Sequence, residues 1–190
     1  MSRIVAPLAV ALLLACGGES APPQSPANPA ADAPPPGTPA ADAPADGAPN
    51  AILAEHNRLR ALHCAPPLAW SPALEKSAQA WADHLKGAGC DLDHSPGPHG
   101  ENLAAGSIGA MDGPAVVRYW YDESAHYAFA KGGFSSQTGH FTQVVWAGTH
   151  EVGCGNTQCE GMDLWVCQYD PPGNMQGAFG ANVKPKGCPN

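Results

Sequence analysis

Positive charge is scarce in this chain: nine lysines and arginines stand against seventeen aspartates and glutamates in 190 residues, a formal net charge of −8. Phosphate binding needs a basic surface, so nucleic acid is excluded as a partner. The apolar run Ile4 to Ala15 is interrupted by Pro7 and is too short to cross a bilayer as a helix, which takes roughly 20 residues. Residues 19–49 hold ten prolines and ten alanines but no aromatic and no branched aliphatic residue, so no core can form there. There is no serine in a nucleophile-elbow setting and no free cysteine to pair with a histidine. The commonest nucleophilic mechanisms are thereby removed.

What is present at the N-terminus reads as an address. Residues 1–15 carry Arg3 ahead of the apolar run and form a secretory signal peptide. Leu13-Leu14-Ala15-Cys16 resembles the bacterial lipobox, in which the cysteine is acylated and becomes the mature N-terminus; ordinary cleavage leaving Cys16 as a thiol is the alternative. Acyl chains on Cys16 would anchor the protein, each buried methylene contributing about 0.8 kcal/mol. Residues 16–49 then form a semi-rigid Pro/Ala-rich tether, and 50–190 one domain with a sizeable core.

Beyond Cys16 there are six cysteines: Cys64, Cys90, Cys154, Cys159, Cys167 and Cys188. An even number behind a signal peptide argues for disulfides in an oxidising compartment. Six cysteines allow fifteen connectivities, and the sequence alone does not choose among them. Cys154 and Cys159 as zinc ligands are the competing use.

The periodicity predicts helices first and strands later. Asn50 caps a helix through Leu62 that buries Ile52, Leu59 and Leu62. Ser71-Pro72 starts a second, with Leu74, Ala78, Trp81 and Leu85 on one face and Gly87 as its stop. A third runs from about Pro114 to Ser124. Strands are expected over Thr142–Trp146, Val152–Gly155 and Leu164–Tyr169, giving an α+β layered domain. Trp70, Trp81 and Trp120 read as core or supporting residues.

Two stretches are more specific. Gly139-His140-Phe141-Thr142-Gln143-Val144-Val145-Trp146-Ala147-Gly148-Thr149 puts an imidazole at the edge of an apolar segment, and Leu164-Trp165-Val166-Cys167-Gln168-Tyr169-Asp170-Pro171-Pro172-Gly173-Asn174-Met175 reads as a strand followed by a forced turn, with a structural role. Together they resemble the two signatures of the CAP superfamily: cysteine-rich secretory proteins, antigen 5 and plant pathogenesis-related class 1 proteins. That resemblance implies a three-layer α-β-α sandwich with long loops and a central antiparallel sheet. From the plant members it implies the disulfides Cys90-Cys154 and Cys159-Cys167, with Cys64-Cys188 as a third pair outside the plant pattern. It also implies a cleft holding two histidines and two glutamates, matched here by His94 in Asp93-His94-Ser95, Glu101 in Gly100-Glu101-Asn102-Leu103, Glu123 in Tyr121-Asp122-Glu123-Ser124, and His140. The loop between His94 and Glu101 is about two residues longer than in plant members and contains His99.

Two neutral imidazoles suit zinc or another divalent metal, with carboxylates orienting them. A glutamate beside a histidine suits a general base in hydrolysis, so Glu101 and Glu123 are the catalytic candidates if the protein is an enzyme. A buried polar network that braces the loops uses the same four groups. Of the remaining histidines, His56 is read as exposed or packed against its helix, His63, His84 and His150 as surface positions, and His99 and His126 as flanking the cleft. Two functions compete. The first is a membrane-tethered, extracytoplasmic binding module for a lipid, sterol-like or other envelope ligand or a partner protein, monomeric and held at a bacterial outer membrane or cell surface through Cys16. The second is a metal-dependent hydrolase or peptidase using the same cleft.

Overall fold

The computed structural model describes residues 47–187. The signal peptide, Cys16, most of the tether and Cys188 lie outside the described residues. No helix among the described residues is long and apolar enough to cross a membrane. The chain runs α1 (Gly47–Ala61), β1 (Ala69–Trp70), α2 (Pro72–Gly87), β2 (Gly100–Ser107), α3 (Gly113–Asp122), a 3-10 turn (Glu123–His126), α4 (Gly139–Val144), β3 (Glu151–Cys159), β4 (Met162–Asp170) and α5 (Phe179–Asn182).

The sheet order is β1-β3-β4-β2. β3 and β4 form an antiparallel hairpin, β2 lies antiparallel to β4, and β1 adds two residues parallel to β3, so the sheet is mixed rather than purely antiparallel. Strand β4 is buried on both faces, and its alternation sorts the core into two layers. Trp165, Cys167 and Tyr169 join the larger cluster with Ile52, Leu59, Val116, Trp120, Phe141 and Val144, against α1, α3 and α4. Leu164 and Val166 face the other way, onto Ala78, Ala82 and Leu85 of α2. The result is the expected α-β-α sandwich, with β4 in its middle layer.

Helix α2 lies very close to β3 because glycines make room for it. A Cβ on Gly153 would sit 2.1 Å from the Glu75 backbone nitrogen, and one on Gly155 would sit 2.4 Å from the Gln79 Cα. Pro72 occupies the first turn of α2, where its missing N–H costs nothing, and Leu74, Ala78, Ala82 and Leu85 are its buried stripe.

Several expectations need correction. The segment Thr142–Trp146 is not a strand. Residues 139–144 form helix α4, with Phe141, Val144 and Val145 at i, i+3 and i+4 buried in the core. A short apolar run satisfies either period, and here tertiary partners decide. The decisive partner is Arg60, fully buried on α1, whose guanidinium donates to the carbonyls of Pro66, Val144, Trp146 and Thr149 and so satisfies acceptors at and beyond the end of α4. Burial lowers the Arg60 pKa to about 10. Strand β2 had no sequence signal, and α1 begins at Gly47, ahead of Asn50. His63 is not a surface residue: it is buried against Tyr121, whose hydroxyl lies 2.9 Å from its Nε2. Leu62, expected inward, is 39% exposed just past the end of α1.

The disulfides are Cys90–Cys159 and Cys154–Cys167, not Cys90-Cys154 and Cys159-Cys167. The hairpin register explains why. Cys154 and Cys167 are directly opposed on β3 and β4, with Cα atoms 4.1 Å apart. Cys159 pairs with Met162 at the far end of the hairpin, five residues beyond Cys154. That separation is about 17 Å along a strand, well beyond disulfide reach. There Cys159 meets Cys90 just past the C-terminus of α2, Cα to Cα 6.0 Å. Cys64 is disulfide-bonded, and its expected partner Cys188 lies outside the described residues.

Candidate functional site

Two histidine–glutamate pairs meet at one end of the sheet. His94, in the loop after α2, places Nδ1 2.9 Å from Glu101 Oε1 on β2. The same oxygen accepts the Ser95 N–H at 2.9 Å, and Glu101 Oε2 accepts from Gln168 Nε2 at 3.0 Å. Glu101 and Gln168 are a registered cross-strand pair of β2 and β4, so the sheet itself positions the carboxylate that meets the loop carrying His94.

The second pair is built differently. His140 is the second residue of α4, and its Nδ1 lies 2.6 Å from Glu123 Oε1. Glu123 Oε2 accepts the backbone N–H groups of His140 at 3.0 Å and Phe141 at 3.2 Å. A carboxylate from the end of α3 therefore caps the start of α4, satisfying donors that Thr138 at the N-cap position leaves unserved. The imidazole of His140 lies near-parallel to Trp120, ring centres 6.3 Å apart.

The pairs differ in solvation. Glu101 is 4% exposed while its partner His94 is 62% exposed. Burial pushes the Glu101 pKa up, but hydrogen bonds from His94, Gln168 and Ser95 outweigh it, and the net direction is down. The hydrogen bond to Glu101 raises the pKa of His94 against partial desolvation.

Between the pairs is a cavity of about 220 Å³ lined by His94, Glu101, Asn102, Phe134, His140 and Asn174, among others. Both Nδ1 atoms are committed to carboxylates. This fixes Nε2 in each neutral ring as the atom free to accept a proton or ligate a metal, the usual arrangement of a carboxylate behind a metal-binding histidine. No group of three or more His, Cys, Asp or Glu side chains with metal-holding geometry occurs among the described residues. A metal here would be held by two imidazoles and completed by water or ligand, an open rather than a closed coordination set.

The structure brings together all four expected cleft residues, with Glu123 behind His140 rather than on the cavity wall. His99 does not join them. Its Nδ1 lies 3.5 Å from Asp170 and its ring lines a separate cavity against α2. His126 is exposed and lines a different cavity with Phe134 and Thr138.

The sequence reading missed Asn102, Gln168, Tyr169 and Asn174. The Asn102 amide donates to the His140 carbonyl at 3.2 Å and to the Tyr169 hydroxyl at 3.3 Å. Asn174, in left-handed backbone, donates to the Gly139 carbonyl at 2.9 Å and places Oδ1 2.6 Å from the Thr142 hydroxyl. Gln168, Tyr169 and Asn174 all lie in the stretch read as purely structural. Three polar side chains in a strand and turn otherwise built for burial were the available signal.

Comparison with known proteins agrees with this architecture. A family model described as CAP, the cysteine-rich secretory protein family, matches residues 53–169. Protein PRY2 of Saccharomyces cerevisiae is 45% identical over 140 residues, covering 71% of this chain and 40% of the yeast protein. Pathogenesis-related protein 1 of Arabidopsis thaliana is 40% identical over 131 residues, covering 68% of this chain and 77% of its own length. Among solved structures, one titled "Crystal structure of NaASP2 with Zn2+" superposes with a TM-score of 0.55 at 29% identity, over 75% of this chain and 87% of that one. The chain thus spans well under half of the yeast relative.

Proposed function

The chain belongs to the cysteine-rich secretory protein (CAP) family, and from that premise we propose that its domain is an extracytoplasmic binding module whose cleft holds a divalent metal such as zinc between His94 and His140. The observation that carries this reading is the pair of Nδ1–carboxylate contacts, which leaves both Nε2 atoms available in neutral rings. A bound metal would supply a Lewis-acidic centre for an oxygen or nitrogen of the ligand. A structural neighbour solved with Zn2+ supports the choice of ion. The ligand class in this reading is a lipid, sterol-like molecule or other envelope component, or a partner protein, met by a monomer. The disulfides agree with an oxidising compartment.

Anchoring through acylated Cys16 to a bacterial membrane belongs to the same proposal. Its support is the sequence Leu13-Leu14-Ala15-Cys16, while the relatives named above come from a yeast and a plant.

The hydrolase reading needs a carboxylate able to take a substrate proton. Each glutamate here is already engaged by its histidine and by further N–H donors, Ser95 and Gln168 on Glu101, and the His140 and Phe141 amides on Glu123. That commitment favours binding over general-base chemistry. The test is zinc titration of the full chain by calorimetry, on the wild type and on the His94→Ala, His140→Ala double variant. One ion per chain with affinity lost in the double variant is expected; unchanged affinity would remove the site.

A further inference from the structure

On the other side of the loop Ser95–His99 from the metal cleft is a second cavity, about 390 Å³ and within the size range of small-ligand sites. It is lined by the stacked pair of Trp81 and His84 on α2, ring centres 4.5 Å apart and nearly parallel, and by Pro96-Gly97-Pro98. Gln168, only 2% exposed, also lines it. Its Nε2 is used, donating to Glu101 and Ser95, but its Oε1 is buried and accepts no hydrogen bond. His99 Nδ1, buried as well, makes none either.

A buried amide oxygen without a donor is costly, so the unpaired acceptor of a residue that lines a cavity marks where a ligand donor belongs. None of the lining side chains is an Asp, Glu, Lys or Arg, which argues against a strongly charged ligand. What the walls offer is flat apolar surface, with Ser77 and Ser95 adding hydroxyl groups to the lining. The complement of such a surface is a neutral ring with C–H groups on its face and hydroxyls on its edge. A proline-rich peptide would also stack on the aromatic pair, but proline has no N–H to give to Gln168.

We propose that the Trp81–His84 cavity is a binding subsite for a neutral pyranose unit of a glycan, with the Gln168 amide oxygen accepting a sugar hydroxyl. The ring lies against the aromatic pair, and the hydroxyl satisfies the buried acceptor. Because Gln168 also holds Glu101, sugar and metal sites share one side chain without sharing a ligand.

The experiment is titration of the full chain with neutral oligosaccharides of glucose, mannose and N-acetylglucosamine, read by tryptophan fluorescence and by NMR shifts of the Gln168 side-chain amide. Saturable binding by at least one sugar is expected, weakened roughly tenfold in His84→Ala and more in Trp81→Ala. His84 is exposed, so its variant folds even if the half-buried Trp81 position does not tolerate alanine. The proposal is overturned if no sugar perturbs the Gln168 amide, if His84→Ala binds as the wild type does, or if a polyproline peptide occupies the cavity in place of sugar. Zinc titration reads the other cleft independently, so failure of one reading leaves the other standing.

Discussion

The Tyr169 hydroxyl donates to His56 Nε2 across 3.0 Å in the centre of the domain. The direction follows from the other ring nitrogen: Nδ1 lies 3.0 Å from the Ile52 carbonyl, which can only accept, so Nδ1 carries the proton and Nε2 is bare. Tyr169 in turn accepts from Asn102, which also holds the His140 carbonyl. A neutral histidine at position 56 therefore stands at the root of a chain that ends at the site.

Stability should fall with acid for this reason. Burial lowers the His56 pKa from 6.5 to about 4, with the Ile52 hydrogen bond opposing and Arg60 assisting. The unfolded chain takes up this proton first, so the contribution is complete above pH 6.5 and is lost as pH falls from 6.5 to about 4. The loss amounts to about 3 kcal/mol. Urea unfolding at a series of pH values measures it, and in His56→Gln the slope across that window should flatten.

His94 has the opposite sign. Its pKa is raised by Glu101, so the pair contributes below pH 6.5 and the contribution disappears as pH rises through the folded value. Glu101→Gln should bring the His94 titration, followed by its ring-proton NMR shifts, down toward the unperturbed value. On the proposed metal reading the ion needs the neutral ring, so zinc affinity would rise with pH over the same interval.

Arg60→Met should cost about 3 kcal/mol or more. The methionine fills much of the space, yet it abandons carbonyls of four residues in a region closed to water. Denaturant midpoints give the cost, and faster amide exchange at Val145 and Trp146, at the end of α4, would locate it.

Adding one methyl at Gly153 or Gly155 should destabilise by about 1–3 kcal/mol or more, because α2 would have to lift from β3. Gly180→Ala is the control, since its Cβ would meet open space. Thermal unfolding of the three variants distinguishes a backbone clash from a general penalty for replacing glycine.

Proteolytic mapping of the unreduced protein should recover Cys90 joined to Cys159 and Cys154 joined to Cys167. Removing the first bond, with its separation of 69 residues, should cost about 4 kcal/mol, against about 3 for the second, with 13. Equal losses would mean that the unfolded chain does not feel the longer loop.

Much of the fold could be read because some segments announce themselves by one dominant cue. Ser71-Pro72 and Gly87 bound α2 within a residue, and the bulky alternation of Leu164–Tyr169 places β4. Where several cues compete, neighbours decide. Phe141–Trp146 has strand-like composition, but Arg60 collects its carbonyls and Glu123 its first N–H groups, so it winds into α4. Strand β2, with Asn, Ala and Gly in place of β-branched residues, is a strand because β4 offers a complete ladder beside it. The four cleft residues were legible only through family resemblance, since no local pattern joins positions 94, 101, 123 and 140. The disulfide pairing was not, because it depends on hairpin register that cysteine spacing alone does not state.

Gln168 and Tyr169 are neighbours in sequence on opposite faces of β4. The first grips Glu101 and, through it, His94; the second works through Asn102 on the backbone of His140. One peptide unit thus acts as a caliper whose jaws are the two halves of the cleft. A strand buried on both sides cannot slip by a residue without exchanging those faces. The spacing of the two histidines is accordingly gauged from the middle of the sheet, through the carboxylate behind His94 and the backbone of His140.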